Sequence, residues 1–72
     1  MPTTRPTLAV AKRLFSRRNP GVPFRAEWER KPTSYTDFDG HPACSGLVRF
    51  TAEGYKPSVM RLYSTREGIS LF

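Results

Sequence analysis

The stretch "TLAVAKRLFSRRNPGVPFRAEW" (residues 7–28) changes its hydrophobic period half-way along. In its first half the apolar residues recur at helical spacing: Leu8, Ala11, Leu14 and Phe15. This spacing indicates an amphipathic helix with one apolar stripe. In its second half, apolar and charged residues alternate, which is typical of a strand with one buried face. The stretch therefore predicts a helix that is followed by a sheet.

Both ends of the helix carry recognisable signals. Thr7 is a suitable N-cap, since its hydroxyl can accept a hydrogen bond from the first helical turn. The triplet Asn19-Pro20-Gly21 predicts the end, because proline cannot continue a helix and glycine follows helix ends readily. We therefore expect the helix to run from about Leu8 to Arg18, with its apolar stripe in the core.

Alternation continues in three further segments: "GLVRFTAEG" (46–54), "SVMRLYSTR" (58–66) and "GISLF" (68–72). The buried faces of the first three strands are expected to contain Phe24, Ala26, Trp28, Val48, Phe50, Ala52, Met60 and Leu62. Residues 32–45 are rich in turn-forming types and predict a long loop. Phe72 is expected to fold back into the core.

These elements predict an α+β fold, in which one N-terminal amphipathic helix packs on a three- to four-stranded antiparallel sheet. A small sheet needs such a helix, because its apolar face would otherwise be wet. The 72 residues allow one domain. We expect a flexible basic arm over residues 1–6 and a single small α+β domain over residues 7–72.

Charge is the strongest signal of function in the composition. Twelve Lys and Arg against six Asp and Glu give a net charge of +6. This excess favours an anionic partner, either nucleic acid, a nucleoprotein, an acidic protein surface or an anionic membrane. Solubility alone would account for a charge of this size equally simply.

The location is predicted from two negative features of the chain. It has one cysteine, Cys44, so it cannot form an internal disulfide, which favours an intracellular, cytoplasmic setting. It has no apolar run of about 18 residues, as a membrane span requires. Residues 1–19 have the acid-free, Arg-rich composition of a mitochondrial import signal, but cleavage would remove the helix that the sheet needs.

The first candidate site is the charged side of the helix. Its members are basic residues that can meet successive backbone phosphates: Lys12, Arg13, Arg17 and Arg18, with Arg5 in the preceding arm. No Asn or Gln accompanies them on the outward side, so sequence-specific base readout is not predicted. A merely solvated helix face explains the same pattern.

The second candidate is the exposed face of the sheet. Arg49, Arg61 and Tyr63 alternate with the core positions, and single-stranded nucleic acid platforms combine aromatic and Arg side chains in this way. An ordinary solvent-facing strand surface is the simpler interpretation.

Metal binding and catalysis find little support. In "DFDGHPAC" (37–44) the first residues resemble a calcium loop, but the twelfth position, where glutamate is needed, is Val48. A turn held by an Asp side chain explains these residues, so no metal or other cofactor is predicted. His41 is the only histidine, and a small ribonuclease-like activity is the one enzymatic alternative.

The sequence thus predicts a small basic, non-catalytic binding module, which binds nucleic acid or a nucleoprotein through the N-terminal helix. The alternative is a protein-binding regulator or inhibitor, such as a phage-type accessory protein, that docks on an acidic surface of a larger enzyme or complex. In that case the loop 32–45 or the open edge of the last strand would supply recognition.

Overall fold

The computed structural model describes residues 5–72, so most of the predicted arm lies outside the described residues. Helix α1 is followed by four strands: α1 (Leu8–Arg18), β1 (Arg25–Thr36), β2 (Pro42–Thr51), β3 (Ser58–Thr65) and β4 (Gly68–Leu71). The strands pair antiparallel in the order β1-β2-β3-β4. The predicted α+β fold, with one N-terminal helix and a four-stranded antiparallel sheet, is confirmed.

The predicted helix ends are both confirmed. The Thr7 hydroxyl accepts a hydrogen bond from the Val10 amide at 3.3 Å. At the other end, the backbone N–H and the side-chain amide of Asn19 both donate to the Phe15 carbonyl, at 3.0 and 3.1 Å. Gly21 then adopts a φ of 79°, a conformation that favours glycine, and the chain turns towards β1.

The core lies between α1 and one face of the sheet. Its fully buried members come from α1, β2, β3 and β4: Ala11, Val48, Phe50, Leu62 and Leu71. The rest of the predicted apolar stripe of the helix is partly buried against them. This burial explains the alternation in the sequence, because every second residue of the strands faces the helix.

Aromatic rings fill the core near the C-terminal end of the helix. The ring of Phe15 stacks on that of Phe50 with their centroids 4.2 Å apart. Phe24 completes the cluster, with its centroid 4.6 Å from Phe15 and 5.8 Å from Phe50. Tilted and stacked rings at these distances add to the free energy gained by burial alone.

The predicted loop 32–45 is wrong, because most of it is strand. β1 continues to Thr36, β2 already begins at Pro42, and only residues 37–41 form the turn. Residues 33–36 are all exposed. Ala43 is the only buried residue in residues 32–36 and 42–45, so the sequence of this part of the hairpin lacks the apolar alternation that identifies the other strands.

β1 is irregular where it leaves the helix. Trp28 pairs with Val48, but Leu47, the residue before Val48 in β2, pairs with Arg30, so β1 contains an extra residue at this point. A second shift in register follows between Arg30 and Thr33. At this point β1 lies against Gly46: an ideal Cβ there would be 3.0 Å from the Arg30 carbonyl oxygen and from a ring carbon of Trp28. Position 46 is therefore occupied by the residue without a side chain.

The expectation that Phe72 enters the core is also wrong. Its backbone N–H and carbonyl both bond to Arg61, at 2.9 and 2.7 Å, so the pairing of β4 with β3 continues to this residue. Because side chains alternate along a strand, Phe72 lies on the face opposite the buried Leu71. Its ring is exposed and packs edge-on against Tyr63, with the centroids 5.6 Å apart.

Candidate functional site

The structure exposes every basic residue of α1. We call this set the helix surface: Lys12, Arg13, Arg17 and Arg18. None of the four forms an ion pair with another residue in 5–72, where the single ion pair joins Arg49 to Glu29. The helix itself contains no acidic residue. The helix surface is therefore an uncompensated positive field on one side of the domain.

The residues between these cations are small. Ala9 and Ser16 are exposed on the same side of α1 and leave the basic side chains room to converge on a ligand. Arg13 and Arg17 are one helical turn apart, about 6 Å along the axis. Their planar guanidinium groups can each donate two hydrogen bonds to one phosphate. Arg13 and Arg17 therefore point to the same side of the helix and are the pair of basic residues best placed to share one ligand.

Two of the four cations have a structural role as well. Arg17 and Arg18 lie in the last turn of α1, where positive charge interacts favourably with the unsatisfied carbonyl groups. Lys12 and Arg18 were expected at the borders of the apolar stripe, and both side chains are exposed. Arg5, the fifth predicted contact, is exposed just before the N-cap.

The second predicted site lies on the opposite face of the sheet. We call it the sheet surface: Arg49, Arg61 and Tyr63. Here the arginines are engaged within the molecule. Arg49 Nη2 lies 2.8 Å from Glu29 Oε2, and Arg61 Nη1 donates to the Tyr63 hydroxyl at 3.2 Å. The Arg61 guanidinium also lies 5.7 Å from the centroid of the Tyr63 ring.

The predicted site residues therefore form two surfaces rather than one. Because α1 covers one face of the sheet, the helix surface and the sheet surface point in opposite directions. A single nucleic acid strand that lies on one of them cannot contact the other. The charges on the sheet surface are also partly compensated by Glu29, whereas those on the helix surface are not.

The "DFDGHPAC" segment forms the turn of the hairpin. Asp37 Oδ1 accepts hydrogen bonds from the backbone N–H groups of Asp39 and His41, at 3.0 and 2.9 Å. This confirms the side-chain-held turn that was expected. No group of three or more His, Cys, Asp or Glu side chains that could hold a metal ion occurs within residues 5–72.

Sequence reasoning missed two features at opposite ends of the molecule. Phe38, at the tip of the hairpin, is fully exposed. A concavity lined by aromatic residues lies at the far end of the sheet, beside Phe15 and Phe50. The signal for the first was present, because an aromatic residue between two aspartates in a tight turn has no core to enter. The second depends on packing and has no signal in the sequence.

No helix in the part of the chain that the structure describes is both long and apolar enough to cross a membrane. Comparisons with protein-family models, with curated proteins and with solved structures gave no match to this chain.

Proposed function

We propose that this protein is a small, non-catalytic module that binds nucleic acid through the helix surface. The observation that carries the proposal is a set of four exposed cations on a helix without acidic residues, none of them in an ion pair with another described residue. Side chains that are not already neutralised are available to replace the counterions of a phosphate backbone.

Phosphate contacts supply the affinity in this proposal. Each guanidinium that meets a phosphate releases condensed counterions, so binding weakens as the salt concentration rises. Ser16, on the same side of α1, adds a hydroxyl donor of the kind that fixes register on a backbone. With no Asn or Gln among the outward residues, binding is expected to depend little on base sequence.

The helix surface is preferred to the sheet surface because of what the cations already contact. To bind a phosphate, Arg49 would have to leave Glu29, and Arg61 would have to leave the Tyr63 ring. The helix cations form no ion pair with another residue in 5–72 that binding would have to break. The same surface could instead meet an acidic protein, the second partner class expected from the charge, and in either case the setting remains the intracellular one expected from a single cysteine.

The test compares two double variants with the same loss of charge. Arg13→Ala with Arg17→Ala removes two helix-surface cations. Arg25→Ala with Arg30→Ala is the matched control, since it removes two exposed arginines on the other face of the sheet. Binding of both to single- and double-stranded oligonucleotides is measured by fluorescence anisotropy across a series of salt concentrations.

We expect the helix variant to flatten the slope of the log–log salt dependence by about 1.4 to 1.8, since each of the two lost phosphate contacts contributes roughly 0.7 to 0.9. The control should keep its slope. An unchanged slope and affinity in the helix variant would exclude the helix surface, and a loss confined to the control would move the site to the sheet. Capture of a protein that survives nuclease treatment, and depends on Arg13 and Arg17, would favour the acidic protein instead.

A further inference from the structure

The two ends of the molecule differ in shape: one carries an exposed aromatic ring and the other a concavity. One end is the hairpin tip, residues 37–41, with Phe38 at its apex. The other is a concavity that we call the end pocket, lined by Phe15, Asn19, Val22, Phe50, Ala52, Tyr55, Lys56 and Ser58. This relation is independent of the nucleic-acid proposal.

Phe38 is presented on a fixed turn. Besides the two bonds to the Asp37 carboxylate, the Asp37 N–H donates to the His41 carbonyl at 2.9 Å and the Gly40 N–H donates to the Asp37 carbonyl at 3.0 Å. Gly40 closes the turn with a φ of 81°. A side chain held in this way loses little backbone freedom when it binds, which lowers the entropic cost of association.

The end pocket is suited to an aromatic ring. Phe50 and Phe15, stacked on each other, lie at its base, and Tyr55 extends from its edge into solvent. Its volume is about 290 Å³. An apolar cavity of about 150 Å³ is enough for benzene, so a phenylalanine side chain fits with space to spare.

The charges of the two ends are opposite. The hairpin tip contains Asp37 and Asp39 and no Lys or Arg. Lys56 is the one charged residue that lines the end pocket. Among the residues next to the lining in sequence, the base Arg18 precedes Asn19 and the acid Glu53 follows Ala52, so these two charges offset each other. The two aspartates beside Phe38 would thus approach Lys56, which favours correct orientation.

The hairpin tip cannot reach the end pocket of its own molecule. β2 begins beside the tip at Pro42 and enters the pocket at Phe50, eight residues further on. At the rise of a strand this is about 27 Å, along a molecule whose longest dimension is 42 Å. We therefore propose that Phe38 of one copy inserts into the end pocket of a second copy, in a head-to-tail contact.

Such a contact uses two different patches, so it leaves a free tip at one end and a free pocket at the other. Because one side chain and its rim cover much less than the area of a standard interface, the association is weak and depends on concentration. Each added copy can bind a further copy, so the oligomer grows until it closes into a ring or until the protein concentration limits its length.

The test is sedimentation velocity of the full chain over a concentration series, with variants that block either patch. Phe38→Ser removes the tip side chain, and Ser58→Trp fills the pocket with a ring of its own. Lys56→Asp is a second pocket variant, used if Ser58→Trp lowers the melting temperature. Phe72→Ser is the matched control, because it removes another exposed phenylalanine that belongs to neither patch.

The wild-type protein and Phe72→Ser should show a sedimentation coefficient that rises with concentration. Phe38→Ser and the pocket variant should each stay monomeric at the concentrations where the wild-type protein associates. Their association constant should be lowered about tenfold or more, the factor expected for loss of one buried aromatic side chain. A mixture of the two should form dimers and nothing larger, since one supplies the only intact pocket and the other the only intact tip.

Three results would overturn the proposal. The first is a wild-type protein that stays monomeric up to about 1 mM, because a contact with a weaker dissociation constant would not produce oligomers in solution. The second is association that persists in Phe38→Ser, which would place the contact elsewhere on the molecule. The third is a mixture of the tip and pocket variants that remains monomeric when both are folded.

Discussion

The two ends of the β1–β2 hairpin are built from the same strands but are stabilised differently. At one end, the helix covers the strands and three phenylalanine rings pack together beneath it. At the other end, residues 33–36 are exposed, and the turn is held by hydrogen bonds around Asp37. Burial of apolar side chains at the covered end stabilises the fold. The free end adds little to stability, and its strands depend on their continuation into the covered part of the sheet.

The largest expected difference in stability is between substitutions of two phenylalanines, one at each end of the hairpin. Phe50→Ala removes a ring that is 2% exposed at the centre of the core. Such truncations cost about 3–5 kcal/mol, against roughly 4–11 kcal/mol of total stability for 72 residues. We expect a protein that has lost a large part of its stability, with the free energy of unfolding lowered by about 3–5 kcal/mol, as measured by circular dichroism and chemical denaturation.

Phe38→Ala makes the same chemical change at the free end. Because the ring is fully exposed, the free energy of unfolding should change by no more than about 0.5 kcal/mol. Equal losses from the two substitutions would show that the hairpin tip is packed in solution and would break the comparison.

The second effect is expected at the junction between the two ends. Gly46→Ala places a Cβ about 3.0 Å from backbone atoms of Arg30 and Pro32 and from the Trp28 ring. Overpacking of this kind costs about 1–3 kcal/mol, which exceeds the gain of about 0.4–1 kcal/mol from restricting the unfolded chain. Urea denaturation should therefore show a less stable protein.

The neighbouring Ser45→Ala is the control for Gly46→Ala. It changes a half-buried residue of the same strand without adding an atom, and its effect should stay below about 1 kcal/mol. A Gly46→Ala protein as stable as the wild type would mean that β1 can move away from β2 at this point, so that the junction is not tightly packed.

The smallest effect is expected at the turn. Asp37→Ala removes the acceptor of two backbone N–H groups, those of Asp39 and His41. The loss should be about 1 kcal/mol and local, with faster amide hydrogen exchange at these two positions and an unchanged rate in the core strands.

Asp39→Ala is the matched control for the turn, because its exposed carboxylate accepts no hydrogen bond from a residue that the structure describes. It removes the same charge and should leave amide exchange unchanged. Faster exchange in both variants would attribute the effect to charge rather than to the side-chain hydrogen bonds.

The covered end was predictable from the sequence and the free end was not. The spacing of Leu8, Ala11, Leu14 and Phe15 predicted the helix with its correct ends, because burial of one side imposes a period on the sequence. Residues 32–36 and 42–45 contain no such period, since Ala43 is the only buried residue among them. Threonine and tyrosine at 33, 35 and 36 favour strands, and this weaker signal was outweighed by the surrounding turn residues.

The positions of the candidate residues on the fold were predictable from the sequence, but the contacts that they make were not. Alternation placed Arg49, Arg61 and Tyr63 on the outer face correctly. The ion pair of Arg49 with Glu29 links residues twenty positions apart, on neighbouring strands in which the direct partner of Arg49 is Glu27. No local pattern encodes which acid Arg49 meets across the strands, so the compensation of charge on the sheet surface emerged from the three-dimensional structure.

The irregularity of β1 has a consequence for how the protein behaves in concentrated solution. β1 and β4 are the two edges of the sheet, and exposed edges are where strands of different molecules add to one another and seed fibrils. β1 is interrupted by two register shifts and by Pro32, which lacks an N–H group, and β4 is only four residues long. Neither edge offers a long, regular template, so the sheet can remain open on both sides without growing into an aggregate.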